Sequence, residues 1–443
     1  MAEKKIPIFP LLLVNFISTL GLSIVIPFLV FLVTKFGGNA LIYGIIGAAY
    51  PAFQLIGAPV LGRWSDVYGR KKILILSSIG ALAGWMIFFI SFFLPLNILF
   101  EGNLFLTGSI TITLPLLILF AARSVDGLTG GNISVANAYL SDITEEKDRN
   151  KNFGKLSISF NLGFIVGPAL AGILGSTSYG EMLPVIAAFV LSLVAVFAIY
   201  FFLPDSNAKT FNAKQEYSGV NKILGVENKG CFENNKDITE NITFSRIRKL
   251  KHVTYFLVLN FLIFLSFNFF YTAFPVYAVK KLEWSITQMG IFFSVMSLIM
   301  IIVQGPVLGY ASKRYSEKQL ILVGSLLLGV NFILLLSENI ILLYTAATLF
   351  AFGNGLMWPS FLSSLSKIAG KKLQGAVQGY ASSAGSLASI IGLIAGGLLY
   401  ESLQGYTFLI ASFVMFAVFF LSFRIPSVEK IPEDKRTKVK LHL

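Results

Sequence analysis

Apolar runs of about twenty residues or more follow one another along this chain, and short polar stretches separate them. A bilayer core about 30 Å thick needs roughly 20 mostly apolar residues per helix. The pattern therefore predicts spans at about 8–33, 40–63, 71–95, 110–132, 152–175, 182–204, 252–279, 286–311, 318–337, 340–367, 373–400 and 405–424. Strands are not expected, because membrane strands alternate and run about 10 residues. The first run is too long for a signal-peptide core and no small-residue cleavage site ends it, so it counts as the first span. The expected fold class is an all-α membrane protein of twelve helices. The longest polar stretch, 205–250, has no apolar periodicity and splits the spans six and six. It reads as a mobile cytoplasmic linker. The expected organisation is one six-helix bundle over 1–204, the linker, a second bundle over 251–425 and a tail over 426–443.

The two halves repeat one another. Pro59-Val60-Leu61-Gly62 recurs as Pro306-Val307-Leu308-Gly309, and Ser65, Tyr68 and Lys71 recur as Ser312, Tyr315 and Lys318, at an offset of 247. Gly167 with Ala171-Gly172 is answered by Gly392 with Gly396-Gly397 at an offset of 225. The offset falls because the first half has extra residues before its fourth span; residues 96–109 are the expected insertion, an extracellular excursion. Parallel six-helix repeats are a transporter plan with the substrate site between the halves near the midplane.

Charge then fixes the expected orientation. The chain carries a net charge of +13, yet 31 of its 35 Lys and Arg fall in the tails and even-numbered loops. The opposite side receives only Lys35, Lys280 and Lys281. Such an asymmetry places both termini in the cytoplasm of a multi-pass protein of the cell membrane. The basic balance is a topology signal, so no nucleic-acid partner is expected. The single Cys231 forbids an intrachain disulfide, and the only histidines, His252 and His442, form no metal spacing. No nucleophile–base pair and no Walker loop is visible, so neither an enzyme nor an ATP-driven pump is expected, and no cofactor.

Gly62-Arg63-Trp64-Ser65-Asp66-Val67-Tyr68-Gly69-Arg70-Lys71-Lys72 joins the second and third spans. Gly62 admits a close backbone and Gly69 a left-handed turn. Arg70, Lys71 and Lys72 obey the topology rule, but Asp66 adds nothing to it. This stretch resembles the signature loop of the major facilitator superfamily, G-x-x-x-D-x-x-G-R-K/R-K. Arg123-Ser-Val-Asp-Gly127 resembles the R-x-x-x-G signature of that family's fourth span. Asp142 followed by Arg149 resembles the acid and Arg that close the same helix. Gly163-Phe-Ile-Val-Gly167-Pro168-Ala-Leu-Ala-Gly172 resembles the fifth-span element of its proton-driven drug exporters. Trp358-Pro359-Ser360 with Gln374-Gly375 and Gln378-Gly379 looks like the tetracycline-exporter branch.

The resemblance implies alternating access, with Asp66, Arg70 and Asp142 holding the outward-open state against the second half. In the second copy Lys313 replaces Asp66 and Glu317 replaces Arg70, so a weaker or differently paired latch is expected there. In the fifth span, small residues at Gly163, Gly167 and Gly172 allow close helix packing, and Pro168 is expected to kink the helix. The resemblance makes this element a leak-tight hinge for antiport. Simple tight packing accounts for its glycines equally well.

Arg123 and Asp126 are the only ionisable residues placed well inside a span, each costing about 2.5–3.5 kcal/mol there. Three residues apart, they share a helix face and can pair. Two readings stay open: a static salt bridge, or Asp126 as a proton carrier balanced between burial and its cationic neighbour. Polar positions at helical spacing suggest a cavity lining of Asn15 and Thr19 (first span), Tyr50 (second), Asn268 and Tyr271 (seventh), Asn354 and Trp358 (tenth), and Gln378 and Ser382 (eleventh). Each can instead make an interhelical hydrogen bond. A mainly apolar, aromatic cavity suits an amphipathic small molecule. The function expected is proton-coupled export of such compounds by a monomer in the lipid bilayer, with protons as the second partner. The alternatives are import or facilitation of a metabolite on the same fold and, more remotely, a transporter-like sensor.

Overall fold

The computed structural model describes residues 7–25, 27–104, 108–144, 149–204 and 252–425; at residues 104, 108, 149–151, 157 and 369–376 only the backbone is described. The expected linker 205–250 and tail 426–443 lie outside the described residues.

The first span is two pieces, α1 (Phe9–Ser23) and α2 (Leu29–Lys35). Pro27 lies in the break, where its missing N–H cannot continue a helical ladder. The second span, α3 (Ala40–Tyr68), starts under the side chain of Asn39, which accepts from the Ile42 N–H at 3.0 Å. It runs five residues beyond its expected end at 63. One residue, Gly69 at φ +100°, then turns the chain directly into α4 (Arg70–Ile90). The charged stretch Gly62–Lys72 is therefore not a loop but two helix ends meeting at a glycine, the only residue type that holds this φ without strain.

Strands do occur. Strands β1 (Ile98–Leu104) and β2 (Gly108–Thr113) pair antiparallel in the expected insertion. The Ile110-Thr111-Ile112-Thr113 alternation is a strand pattern too short to register as a membrane strand. Thr113 Oγ1 donates to the Phe36 carbonyl at 2.9 Å, which ties the hairpin to the end of α2. The fourth span begins at Leu114 instead of 110 and passes 132: α5 (Leu114–Thr129) breaks at Gly130-Gly131 and continues as α6 (Asn132–Ile143). At the break, a Cβ on Gly131 would come within 2.7 Å of Leu61, so α3 lies too close for a side chain there.

Next come α7 (Arg149–Gly175), α8 (Met182–Phe202) and α9 (Val253–Lys280). The eighth span is α10 (Ile286–Ile302), a π-helical turn over Val303–Val307, and α11 (Leu308–Arg314). Pro306 lies inside that turn, where a proline can be accommodated by widening the ladder. The ninth span is α12 (Glu317–Leu334), opened by a Ser316–Gln319 capping box. Helical geometry then runs from Ile340 to Leu403 as α13, and α14 (Thr407–Ser422) is the last helix among the described residues.

The two arms of α13 run in opposite directions. Phe350, Trp358 and Phe361 meet Phe267, Phe264 and Phe256 of α9 in descending order. Asn260, Asn268 and Thr272 of α9 bond Ala381, Ser389 and Leu393 in ascending order. The chain thus reverses between Ile368 and Val377, and the arms are the tenth and eleventh spans. Among the described residues ten segments are long and apolar enough to cross a bilayer. One of these, Val377–Ser422, holds two crossings, and the shorter α1 with α2 adds another, so the count is twelve.

The repeat survives in the side chains. Arg70 pairs with Asp142 at 2.9 Å, and at the same sequence offsets Glu317 pairs with Lys367. The signs are exchanged and the geometry is kept. We call the end carrying these pairs the basic end and the opposite one the hairpin end.

Candidate functional site

Two helix seams join the halves at the hairpin end. In the first, α3 packs on the eleventh span: Gly44 lies against the Leu393 carbonyl, and Gly397 against Ala40, with Leu41 Cα 2.9 Å from where its Cβ would stand. In the second, α7 packs on α10, with Gly172 against Gly290 and Gly175 against Ile286. Each contact requires a missing side chain, the device by which small residues let helices meet closely.

Toward the basic end both seams part. The register that pairs Gly44 with Leu393 would set Leu55 against Ser382 and Pro59 against Gln378, yet all four are exposed. In the second seam Ile158 and Leu162 on one side, and Ile301, Ile302 and Gly305 on the other, are exposed as well. A Cβ added at Gly62, Gly305, Gly309 or Gly379 would meet no atom within 4 Å. The close backbone approach expected at Gly62 is thus not made in this conformation. The halves are shut at the hairpin end and splayed at the basic end.

One charged contact locks the shut end. Glu401, at the end of the eleventh span, accepts from the Ala40 N–H at 2.6 Å and meets Lys280 Nζ at 3.3 Å. Ala40 is the first residue of α3, where N–H groups lack helical partners and the helix dipole favours an anion. A carboxylate from one half therefore caps a helix of the other. Hydrogen bonds to a charged group contribute about 1.5–3 kcal/mol, so Glu401→Ala should raise the population open at the hairpin end about tenfold. A spin-label pair spanning the 36–39 and 404–406 turns reads this out, and an unchanged distance distribution would remove the lock.

The charged cluster of the basic end belongs wholly to the first half. Arg70 meets Asp66 at 2.5 Å, Asp142 at 2.9 Å and Ser65 Oγ at 2.6 Å. Asp66 remains 61% exposed. Lys71 turns away, over the ring of Tyr200 at 5.8 Å. Arg149 starts α7, and its side chain lies outside the described residues. The second copy is differently paired: Glu317 holds Lys367 and Ser363, and Lys313 is exposed.

In the fifth-span element, Gly163 and Gly167 pack on α1 and Gly172 packs across to the other half. A Cβ at Gly163 would stand 2.6 Å from the Phe16 carbonyl. Helix α7 runs unbroken through Pro168, so the expected kink does not interrupt it.

Arg123 and Asp126 pair at 3.2 Å, with Arg123 buried and the Asp126 side chain 14% exposed. The guanidinium lies 4.8 Å from the centre of the Tyr50 ring, a cation–π distance. Arg123 Nε is buried and has no hydrogen-bond partner among the described residues. Asp126 faces the interior of the first half, among α1, α4 and α8, not the groove between the halves. Thr19 and Tyr50 face the same interior.

Several other expected cavity residues are interhelical ties. Asn15 donates to the Leu156 carbonyl at 3.2 Å, and Asn268 to Ser389 Oγ at 3.1 Å and, within its own helix, to the Phe264 carbonyl at 2.6 Å. Asn260, on the same polar stripe of α9 as Asn268, donates to the Ala381 carbonyl at 2.7 Å. Asn354 Nδ2 reaches Met300 Sδ at 3.7 Å, while its buried Oδ1 has no partner among the described residues. Trp358 is half-buried against Phe264 and Phe361, and Tyr271 against Phe270 and Phe350. Gln378 and Ser382 face the splayed mouth. Sequence reasoning missed Gly44, Gly290, Lys367 and Glu401. Glu401 had a readable signal, as an acid ending an apolar run on the side that holds only three basic residues.

Comparison with known proteins agrees with this architecture. The profile of the Major Facilitator Superfamily matches residues 11–330 and, in a second match, 256–442. The chain is 28% identical over 396 residues to the class E tetracycline resistance protein of Escherichia coli, covering 88% of this chain and 87% of that one. It is 27% identical over 423 residues to multidrug resistance protein 2 of Bacillus subtilis (strain 168), covering 93% of each. The fold superposes on a D-xylose-proton symporter with a TM-score of 0.69 at 13% identity, over 95% of this chain and 98% of that chain. It superposes on the human organic anion transporter MFSD10 with a TM-score of 0.64 at 20% identity, over 94% and 98% of the two chains. The duplicated twelve-span fold, the signature residues in order and a family match along nearly the whole length agree: this multi-pass membrane protein belongs to the Major Facilitator Superfamily.

Proposed function

We propose that the protein is a secondary active transporter that exports small amphipathic compounds in exchange for protons. The observation that carries this reading is the pair of seams, shut at one end and open at the other. A site between halves in that state faces one side of the membrane, and rocking about the glycine contacts would turn it to the other. The direction follows the relatives, whose names describe tetracycline and multidrug resistance. Import of a metabolite is the less favoured reading.

In this account the basic end is cytoplasmic, with both termini there, and the two bundles, 1–204 and 251–425, move as bodies. The protein works as a monomer, performs no covalent chemistry and binds no nucleic acid. Asp126 carries the proton and Arg123 senses its charge. Gly163, Gly167, Pro168 and Gly172 form the stiff side of the hinge. Gln378, Ser382, Trp358 and Tyr271 contribute to the substrate groove. The Asp66–Arg70–Asp142 cluster latches the cytoplasmic mouth once the halves swing together. Arg70→Ala releases both acids and should lower export several-fold by disfavouring that closure; an unchanged export rate would strip the cluster of its latch role.

The function itself is tested by drug accumulation in cells with and without the transporter. Export predicts lower accumulation with it, restored by a proton uncoupler. Higher accumulation in its presence would favour the importer.

A further inference from the structure

Inside the first half, residues of α1, α3, α4, α5, α6 and α8 line a small, partly open cavity. It leaves about 30 Å³ for the centres of water-sized molecules. One water needs roughly 10–15 Å³ of such space and two to four polar partners. The partners are present: Thr19, Ser78, Asp126, Thr129, Asn132 and Ser192 all line it. Ser78 and Ser192 are buried hydroxyls that reach the cavity from α4 and α8. Thr129 spends its proton on the Val125 carbonyl at 2.9 Å, and Thr19 on Asn15 at 2.8 Å, so both offer the cavity lone pairs only. An apolar cavity of this size would stay dry; here hydroxyl, carboxyl and amide groups share the lining with Leu22, Ala81, Trp85, Ile133 and Ala195.

We propose that this cavity is a water-filled proton site serving Asp126, separate from the substrate groove. The inference rests on the reading of Asp126 as proton carrier. A hydronium in the cavity gives its proton to the Asp126 carboxylate: one O–H bond of the hydronium breaks, one O–H forms on the carboxyl, and water remains. Release is the reverse step.

Two observations favour a proton over a metal cation. The Arg123 guanidinium, 3.2 Å from the Asp126 carboxylate, already supplies the positive charge that a bound cation would have to share. The remaining polar lining groups are neutral hydroxyls and an amide, too weak to overcome that repulsion.

The location also gives the site a lever. Arg123 rests on the ring of Tyr50. Tyr50 belongs to α3, and a Cβ on Gly127, one residue after Asp126, would stand 2.5 Å from the Tyr50 carbonyl. Helix α3 forms the first seam. A change of charge at Asp126 is therefore felt at a helix that must move when the halves rock, without the proton entering the groove. Substrate and proton then compete through conformation and not for one carboxylate.

The test plugs the cavity from two walls without altering Asp126 or Arg123: Ser192→Leu from α8, and Ala81→Leu from α4. Purified variants that elute as monodisperse protein are reconstituted in proteoliposomes. Two quantities are measured, substrate-driven proton uptake and substrate counterflow at equal pH, and their ratio is compared with the unaltered protein. Both plugs are expected to depress the ratio toward that of empty vesicles. A ratio unchanged in either monodisperse plug, including an equal fall of both quantities, overturns the proposal. So does accumulation that follows a sodium gradient at fixed pH. Asp126→Asn run in parallel separates the two claims. If it abolishes proton uptake while the plugs do not, the cavity fails and the carrier stands. If it leaves proton uptake intact, the carrier itself fails.

Discussion

Asp126→Asn is expected to abolish uphill export while substrate counterflow persists. The exchange preserves shape and hydrogen-bonding capacity but removes the titratable group. A transporter whose only proton carrier is gone can still equilibrate substrate across the membrane; it cannot concentrate it. The rival reading, a static Arg123–Asp126 bridge, predicts something different. Breaking a buried ion pair by removing one partner costs about 3–5 kcal/mol, because the other charge is left uncompensated. That loss would appear as lower thermal stability and lower yield, with export and counterflow falling together. Arg123 has a partial substitute in the Tyr50 ring at 4.8 Å, which limits the structural loss. Paired measurements of uphill export, counterflow and melting temperature decide between them.

Gly172→Leu is expected to stop transport altogether, by preventing closure at the hairpin end. Its Cβ would overlap the Cα of Gly290, and both walls are helix backbone that cannot step aside. A leucine adds three further carbons to that overlap. The variant should fold within each half, because the clash lies between the halves, and should populate the state open at the hairpin end. Gly62→Leu makes the opposite case: its Cβ meets no atom within 4 Å here, so this conformation tolerates it. If the basic end closes over Gly62, that substitution traps the protein in the conformation seen here. Thiol labelling reads both traps cleanly, since Cys231 is the only native cysteine and Cys231→Ser gives a silent background. A Gly172→Leu variant that transports at the normal rate would mean the seam never closes this tightly in the membrane.

Much of this was legible in the sequence because the bilayer imposes it. Span positions follow from hydrocarbon thickness, and the expected sidedness rests on 31 basic residues in the tails and even-numbered loops. The exchanged signs at Lys313 and Glu317 were visible as well, although Lys367, the partner of Glu317, was not. Hydropathy marks where a helix enters the bilayer, not where it ends. That is why α3 runs on to Tyr68 under charged side chains, and why the fourth span, broken at Gly130-Gly131, was cut short. The hairpin escaped notice because its strands are only seven and six residues long, and clear alternation is confined to Ile110–Thr113. The polar stripe of the seventh span shows the deeper limit. Asn260 and Asn268 sit at helical spacing whether they bond a neighbouring helix or line a cavity, and only the position of the eleventh span decides for the bond. Glu401 and Gly290 act across the interface between halves, and a single sequence carries no register between helices far apart in the chain.

The central claim is that the two mouths open in turn. Spin labels on Val67 and Ser383 span the basic-end mouth, and labels on Lys35 and Leu403 span the hairpin end; all four positions are exposed. Distance distributions are recorded for both pairs in the Cys231→Ser background, in lipid, as pH is lowered and as substrate is added. The account predicts that the basic-end distance shortens as the hairpin-end distance lengthens, in the same fraction of molecules. Two distances that never change, or that lengthen together, would contradict it.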